Sequence, residues 1–261
     1  MTQALRDGEL KVEGRLTDAS NATLYCTAVL KDADHEASVT CVYKPIAGEN
    51  PLWDFPDGTL AAREVAAYEV SAAAGWDVVP LTLMRDGPFG PGMCQQWIET
   101  ADGDASHFLA VLPEDGEHEG WCPIVTVGLE DNRQALLAHR DNATLRNVAL
   151  FDIVINNADR KGGHLLPGVD GRLYAIDHGV SFHTEDKLRT LLWGFADRQL
   201  TEDERDTLAR LRDDAQLDNR LTELLSAEEA EAFHARVARL LDSGVFPGPG
   251  GRRRPIPWPL I

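Results

Sequence analysis

Positive charge is scarce in this chain. Lys and Arg number 25 against 43 Asp and Glu, leaving a formal net charge of −18 over 261 residues. A nucleic-acid binder needs a basic footprint, so the balance argues against that partner. It also argues against unaided docking on an anionic bilayer. Long apolar runs are missing too. The most apolar stretch, from Val65 to Met84, is interrupted by Glu69 and Asp77. It falls short of the roughly 20 apolar residues of a membrane span, so no integral membrane segment is expected. The start, Met1 to Asp7, lacks the basic and apolar parts of a secretory signal. Cys26, Cys41, Cys94 and Cys122 are far apart and form no CxxC pair. They give no zinc or redox signature, and a cytoplasmic setting is expected. Asn21-Ala22-Thr23 and Asn142-Ala143-Thr144 match the glycosylation pattern but are read as chance without a secretory signal. There is no internal repeat. GxGxxG after a strand, GxxxxGK[ST], HExxH and GxSxG are all absent. A dinucleotide fold and a P-loop NTPase are therefore unsupported.

What is present is a globular composition, 43% hydrophobic and 26% charged. The length allows one large domain or two lobes with a real core. Residues 8–48 read as strands. Between Ser38 and Lys44, Val39, Cys41 and Tyr43 share one face and Thr40, Val42 and Lys44 the other. Asp57-Gly58 reads as a turn and Thr59 as a helix N-cap. Leu60 to Ala74 reads as helix, stopped by Gly75. Strands are expected over Val78–Met84 and Met93–Ile98, joined by a hairpin at Pro88 and Pro91. Residues 101–125, polar and acidic, read as a junction between lobes. Asn132 to Val154 reads as helix, Asn156 to Pro167 as a loop, and Arg172 to Ile176 as a strand. From Asp186 to Ser243 amphipathic helix is expected, and from about residue 246 a flexible Pro/Gly/Arg tail. The expectation is an α+β chain, with a small strand-rich N-lobe over 1–100 and a larger helical C-lobe over 101–261.

Four pieces are spaced as phosphoryl transfer requires. Lys44 closes a strand on its outer face. Glu64 lies on the next helix. Asp159-Arg160-Lys161 opens a loop, and Asp177-His178-Gly179 follows a short strand. Transfer from ATP needs positioning and charge neutralisation more than covalent chemistry. A strand lysine can neutralise phosphates, and a helix glutamate can hold that lysine. One aspartate can orient the acceptor hydroxyl, and another can hold a divalent ion. Each piece alone has a plainer reading: a solvated lysine, a helix glutamate, a D-x-G turn. Glu69 has apolar neighbours as Glu64 does, so periodicity does not choose between them. It is the joint pattern, with Gly162-Gly163 between the aspartates, that points to a nucleotide site.

Asn157-Ala158-Asp159-Arg160-Lys161-Gly162-Gly163-His164-Leu165, followed by Ala175-Ile176-Asp177-His178-Gly179, resembles segments of the phosphatidylinositol 3-/4-kinase superfamily. Those are its catalytic D-R-x-x-x-N and metal-binding D-x-G. Val42 to Pro45 resembles the family's ATP-binding lysine strand, and Leu60 to Tyr68 its lysine-pairing helix. Order and spacing agree from about residue 14 to 184, as in actinobacterial PI3/PI4-kinase-like proteins, and HipA-type kinases share the architecture. The resemblance implies a bilobal protein-kinase-like fold and an ATP-dependent kinase using Mg²⁺ or Mn²⁺. By it, Asp159 is catalytic, with Lys161 adding charge near the transferred phosphate. Lys44 contacts ATP phosphates and Glu64 holds it. Asp177 is a metal ligand. Adenine sits against Gln96, Trp97 and Ile98, where backbone groups can read its edge; Trp97 reads as core rather than as a stacking surface. A covering loop over residues 17–23 offers Ser20, Asn21 and Thr23. His164 stands where the family has its metal-binding Asn, and neutral imidazole suits Mn²⁺ better than Mg²⁺. His139-Arg140-Asp141 spells the protein-kinase catalytic tripeptide, but Arg146 occupies the position of its Asn. It reads as a surface helix feature.

Three functions remain open. The first is a kinase acting on a hydroxyl of a small molecule, a protein or a lipid headgroup. The second is a nucleotide-binding pseudokinase serving as a regulatory module. The third is a small-molecule phosphotransferase of the antibiotic-kinase sort.

Overall fold

A short helix, α1 (Thr2–Asp7), leads into three antiparallel strands, β1 (Glu9–Arg15), β2 (Leu24–Lys31) and β3 (Glu36–Pro45). The computed structural model describes the chain except residues 18–19, 32–35, 57, 102–107, 130–132, 253 and 261. Expectations that fall on Asp18 and Ala19, on Asp57, on part of the junction, on Asn132 and on Arg253 lie outside the described residues. β4 (Thr82–Gly87) and β5 (Gly90–Gln96) form the expected hairpin and complete a sheet of order β1-β2-β3-β5-β4. The alternation of β3 is as its sequence implies, with Val39, Cys41 and Tyr43 buried. They pack with α1, Cys26, Ala28 and Cys94 as one cluster. Burial pushes the Cys26 thiol, and separately that of Cys122, up to about 11. These are packing residues, not reactive thiols.

Helix α2 (Leu60–Ala74) ends where Gly75 turns left-handed at φ 70°. Its N-terminus departs from expectation. Thr59 occupies the cap position, but its hydroxyl donates to the carbonyl of Pro56. The orphan N–H groups of Leu60 and Ala61 instead donate to the Glu49 carboxylate, at 3.1 and 2.8 Å. One face of α2, with Ala66, Ala67, Val70 and Ala74, enters the main core beside residues of the C-terminal helices. Ala61 and Val65 meet Met93 of β5.

The region read as junction and early helix is a second antiparallel sheet. β6 (Leu109–Pro113), β7 (Trp121–Gly128) and β8 (Gln134–Arg140) pair in the order β6-β8-β7. Ala135-Leu136-Leu137-Ala138 favours helix by propensity, but its position between two strands overrides that. The helix starts later, as α3 (Ala143–Ile155), because Asn142 caps it by accepting the N–H of Leu145 at 2.8 Å. Asn156, left-handed at φ 56°, ends it.

A hairpin of β9 (Leu165–Pro167) and β10 (Leu173–Ala175) follows. Residues 186–200, expected to be helical, are largely irregular. Three helices close the chain: α4 (Glu202–Asp213), α5 (Ala215–Leu224) and α6 (Ala227–Ser243). Thr201–Glu204 and Ser226–Glu229 form capping boxes. The chain is thus α+β, with an antiparallel sheet in the N-terminal region and helices in the C-terminal region. The described part of the segment after residue 246 is seated rather than free. Ile256 and Leu260 pack against Leu109, Leu137 and Leu191. The Leu260 carbonyl accepts the N–H of Gly162 at 2.8 Å. Among the described residues, no helix is long and apolar enough to cross a membrane.

Candidate active site

The last turn of β3 alternation sends Lys44 off the sheet towards α2. Its Nζ lies 2.9 Å from Glu64 Oε1 and 2.6 Å from Asp177 Oδ1. Burial opposes a charge on Lys44, but Asp177 and Glu64 outweigh it and hold its pKa above the usual lysine value. In return the Lys44 ammonium holds the Asp177 carboxyl well below the ordinary range. Asp177, two residues past β10, adopts a left-handed φ of 59°, a conformation Asp tolerates better than most residues. Glu64 is buried, and its second oxygen accepts the N–H of His178 at 2.8 Å. Glu69, its rival on α2, faces away and pairs with Arg220 at 2.8 Å. The structure thus resolves an ambiguity that periodicity left open.

The 157–164 loop is built on a buried ion pair that sequence reasoning missed. Arg160 and Asp152 are both fully buried, and Arg160 Nε and Nη2 reach Asp152 at 3.0–3.1 Å. Nη1 of Arg160 donates to the Ile176 carbonyl at 3.0 Å. Nη2 lies 2.7 Å from His178 Nε2. Arginine can only donate, so Nε2 accepts and the His178 proton resides on Nδ1. Burial, reinforced by Arg160, depresses the His178 pKa well below the ordinary value, so the ring is neutral. An unbroken chain of contacts therefore runs from Asp152 through Arg160, His178 and Glu64 to Lys44. Asn157 adds to it, donating to Asp152 at 2.9 Å and accepting the Asp159 N–H at 3.0 Å. Asn-x-Asp is an Asx-turn signal that the sequence reading did not use.

These elements enclose a cleft of about 360 Å³. Lys44, Glu64, Asp159, Lys161, His164 and Asp177 all border it, as do Ser20, Asn21 and Thr23 from the β1–β2 connection. Asn21 Oδ1 accepts the N–H of Asn50 at 2.8 Å, tying that connection to the Glu49–Asn50 segment. Lys161 Nζ sits 3.0 Å from Asp159 Oδ2. Gln96, Trp97 and Ile98 do not border the cleft. The N–H of Gln96 is taken by the Leu81 carbonyl and that of Trp97 by Thr40, so neither is free to read an adenine edge. Trp97 is not core; it is 37% exposed and meets Tyr25 edge-on at 5.0 Å.

No family model matches the chain. Protein Rv2133c of Mycobacterium tuberculosis is 45% identical over 267 residues, covering 98% of this chain and 94% of the relative. The chain belongs to the Rv2133c family. Among solved structures, the Helicobacter pylori proinflammatory kinase CtkA aligns with a TM-score of 0.45 at 11% identity. That alignment covers 93% of this chain and 94% of CtkA.

In this member of the Rv2133c family, His164 and Asp177 are cleft side chains of a type that can ligate a divalent ion. His164 Nε2 faces Asp177 Oδ2 at 3.7 Å, and burial lowers the His164 pKa, which keeps the ring a neutral donor. Its buried Nδ1 has no partner. Among the described residues no group of three His, Cys, Asp or Glu side chains could hold a metal on its own. Mg²⁺ is usually held by one or two carboxylates plus phosphate oxygens, whereas an imidazole donor suits Mn²⁺ better.

The kinase-like tripeptide of the Rv2133c-family chain is structural. His139 and Arg140 end β8 rather than lying on a helix, and Asp141 pairs with Arg198 at 2.9 Å, away from the cleft. His139 is fully buried with Nδ1 2.8 Å from the Arg140 carbonyl. Burial lowers its pKa. The unfolded chain therefore binds a proton below about pH 6.5 that the folded chain refuses, and stability falls as pH falls. The slope from this group reaches about 1.4 kcal/mol per pH unit. Urea unfolding at pH 7.5 and 5.5 should show His139→Leu losing less stability on acidification than the parent. Equal losses would show that His139 titrates as an ordinary histidine.

Proposed function

We propose that the chain is an ATP-dependent phosphotransferase of the PI3/PI4-kinase-like type, transferring the γ-phosphate to a hydroxyl acceptor. One observation carries the reading: Lys44 Nζ bridges Glu64 and Asp177 in a cleft that Asp159 also borders. A lysine held by a buried glutamate is placed to meet phosphate oxygens. Asp159, held by the Asn157 turn and by Lys161, is placed to orient an acceptor hydroxyl and take its proton. The acceptor oxygen forms the new P–O bond, the bond to the β-phosphate oxygen breaks, and ADP leaves. Asp177 and His164 would hold the divalent ion, Mg²⁺ or Mn²⁺, which would neutralise phosphate charge. Lys44 must then release Asp177 to the ion and turn to the nucleotide.

A second reading, a nucleotide-binding pseudokinase, is favoured by His164 in place of the Asn of the phosphatidylinositol 3-/4-kinase motif. A single variant separates the two. Asp159→Asn should cut γ-phosphate transfer by about 10²–10⁴-fold while leaving ATP-dependent thermal stabilisation intact. The assay is labelled-phosphate transfer across polyols, proteins and lipids in both metals. If no transfer occurs with any acceptor while ATP still stabilises the protein, the pseudokinase reading stands. If ATP stabilises nothing in either metal, both fail.

A further inference from the structure

Beside the cleft lies a second concavity of about 520 Å³, bordered by Trp53, Ala158, Lys187, Arg189 and Arg254 among others. It adjoins the 157–160 loop directly. The N–H of Arg189 donates to the Asn157 carbonyl at 2.9 Å, and the N–H of Arg160 donates to the Arg189 carbonyl at 3.0 Å. The chain forms a parallel bridge there, Arg160 with Thr190. The groove thus opens at Ala158, one residue from Asp159.

Its charge is unlike that of the rest of the molecule. Two cations are already neutralised: Lys187 by Asp54 at 2.7 Å, and Arg252 by Asp186 at 2.5 Å. Arg189 and Arg254 have no carboxylate within ion-pair distance among the described residues. Arg189 uses Nε to bond the Arg254 carbonyl at 3.1 Å, which holds the two residues together. Two arginines without a carboxylate partner lining one groove stand out in a chain of net charge −18. Arginine forks match the oxygens of a phosphate better than any other side chain. Trp53 is 93% exposed, with Lys187 Nζ 4.9 Å from its ring centre. An exposed indole in a groove of this size offers a flat apolar surface for a small carbon skeleton.

We propose that this groove is the acceptor subsite, and that it selects a small soluble hydroxyl compound already carrying a phosphomonoester, such as a sugar phosphate. The acceptor role rests on the phosphotransferase reading; the anion site does not. Arg189 and Arg254 would take the phosphate and Trp53 the carbon ring, leaving a hydroxyl towards Asp159.

The test is calorimetry on the full chain with glucose 6-phosphate and with glucose, which differ only by the phosphate. Glucose 6-phosphate should bind and glucose should not. Arg189→Ala with Arg254→Ala should weaken binding at least tenfold, and Arg254→Ala alone by several-fold. Arg212→Ala, which removes an exposed cation elsewhere, should change nothing. Equal binding of the two sugars, survival of binding in the double variant, or the same loss in Arg212→Ala would each overturn the proposal. Vesicles of phosphatidylcholine with phosphatidylinositol form a further arm. Arg254-dependent cosedimentation without glucose 6-phosphate binding would assign the groove to a lipid and overturn the soluble acceptor. ATP-dependent thermal stabilisation, read separately, keeps the two readings apart. Phosphate-selective binding without an ATP response leaves the groove standing and removes the kinase.

Discussion

Asp152→Ala should be the most destabilising single change near the site. It strands the Arg160 guanidinium in a fully buried position, with its carboxylate partner gone. Breaking a buried pair by removing one member costs about 3–5 kcal/mol. In a chain of this size that lowers the melting temperature by about 6–20 °C. The loss should be smaller when Arg160 is replaced as well, for example in Asp152→Leu with Arg160→Met, because no uncompensated charge then remains. Thermal unfolding of the single and double variants measures this. If the double variant is no more stable than Asp152→Ala, the cost lies in packing or in the lost bonds to Ile176 and Thr190, not in a stranded charge.

The second large effect falls on Lys44. Lys44→Ala leaves the buried Glu64 carboxylate and the Asp177 carboxylate facing one another with no cation between them. Glu64 keeps the His178 N–H, so the expected loss is at the lower end for a broken buried pair, about 3 kcal/mol. The ATP-dependent rise in melting temperature should vanish in the same variant. Lys44→Ala with Glu64→Gln removes the stranded charge and should recover part of the stability, but none of the nucleotide response. Recovery of that response would move phosphate binding away from Lys44.

These two residues also mark the boundary of what the sequence disclosed. Lys44 was legible because strand alternation fixes its face, and Glu64 was a candidate because the helix repeat placed it near Leu60. Asp177 was legible through its spacing from the loop. Arg160 and Asp152 meet across different elements, α3 and the loop, so no local repeat signals their pairing. Arg160 stood out only as the second residue of the Asp159-Arg160-Lys161 motif, whereas it is the centre of the buried network. The second sheet was missed for a different reason. Ala135-Leu136-Leu137-Ala138 carries helix-forming side chains, and only pairing with β6 and β7, remote in sequence, makes it a strand. The capping of α2 by Glu49 was invisible for the same cause, since eleven residues separate acceptor from donor.

Helix α2 carries a consequence for how such a chain can change over evolutionary time. It follows the N-terminal strands in sequence, yet its Ala66, Ala67, Val70 and Ala74 face is embedded among side chains from α3 to α6. Small alanines allow that close approach, and they fit only the surface they were shaped against. A genetic exchange joining the first hundred residues to a foreign C-terminal half would therefore present α2 with a mismatched partner. The N-terminal and C-terminal parts are bound to co-evolve through this one helix, and change is admitted within the grooves and loops rather than by trading halves.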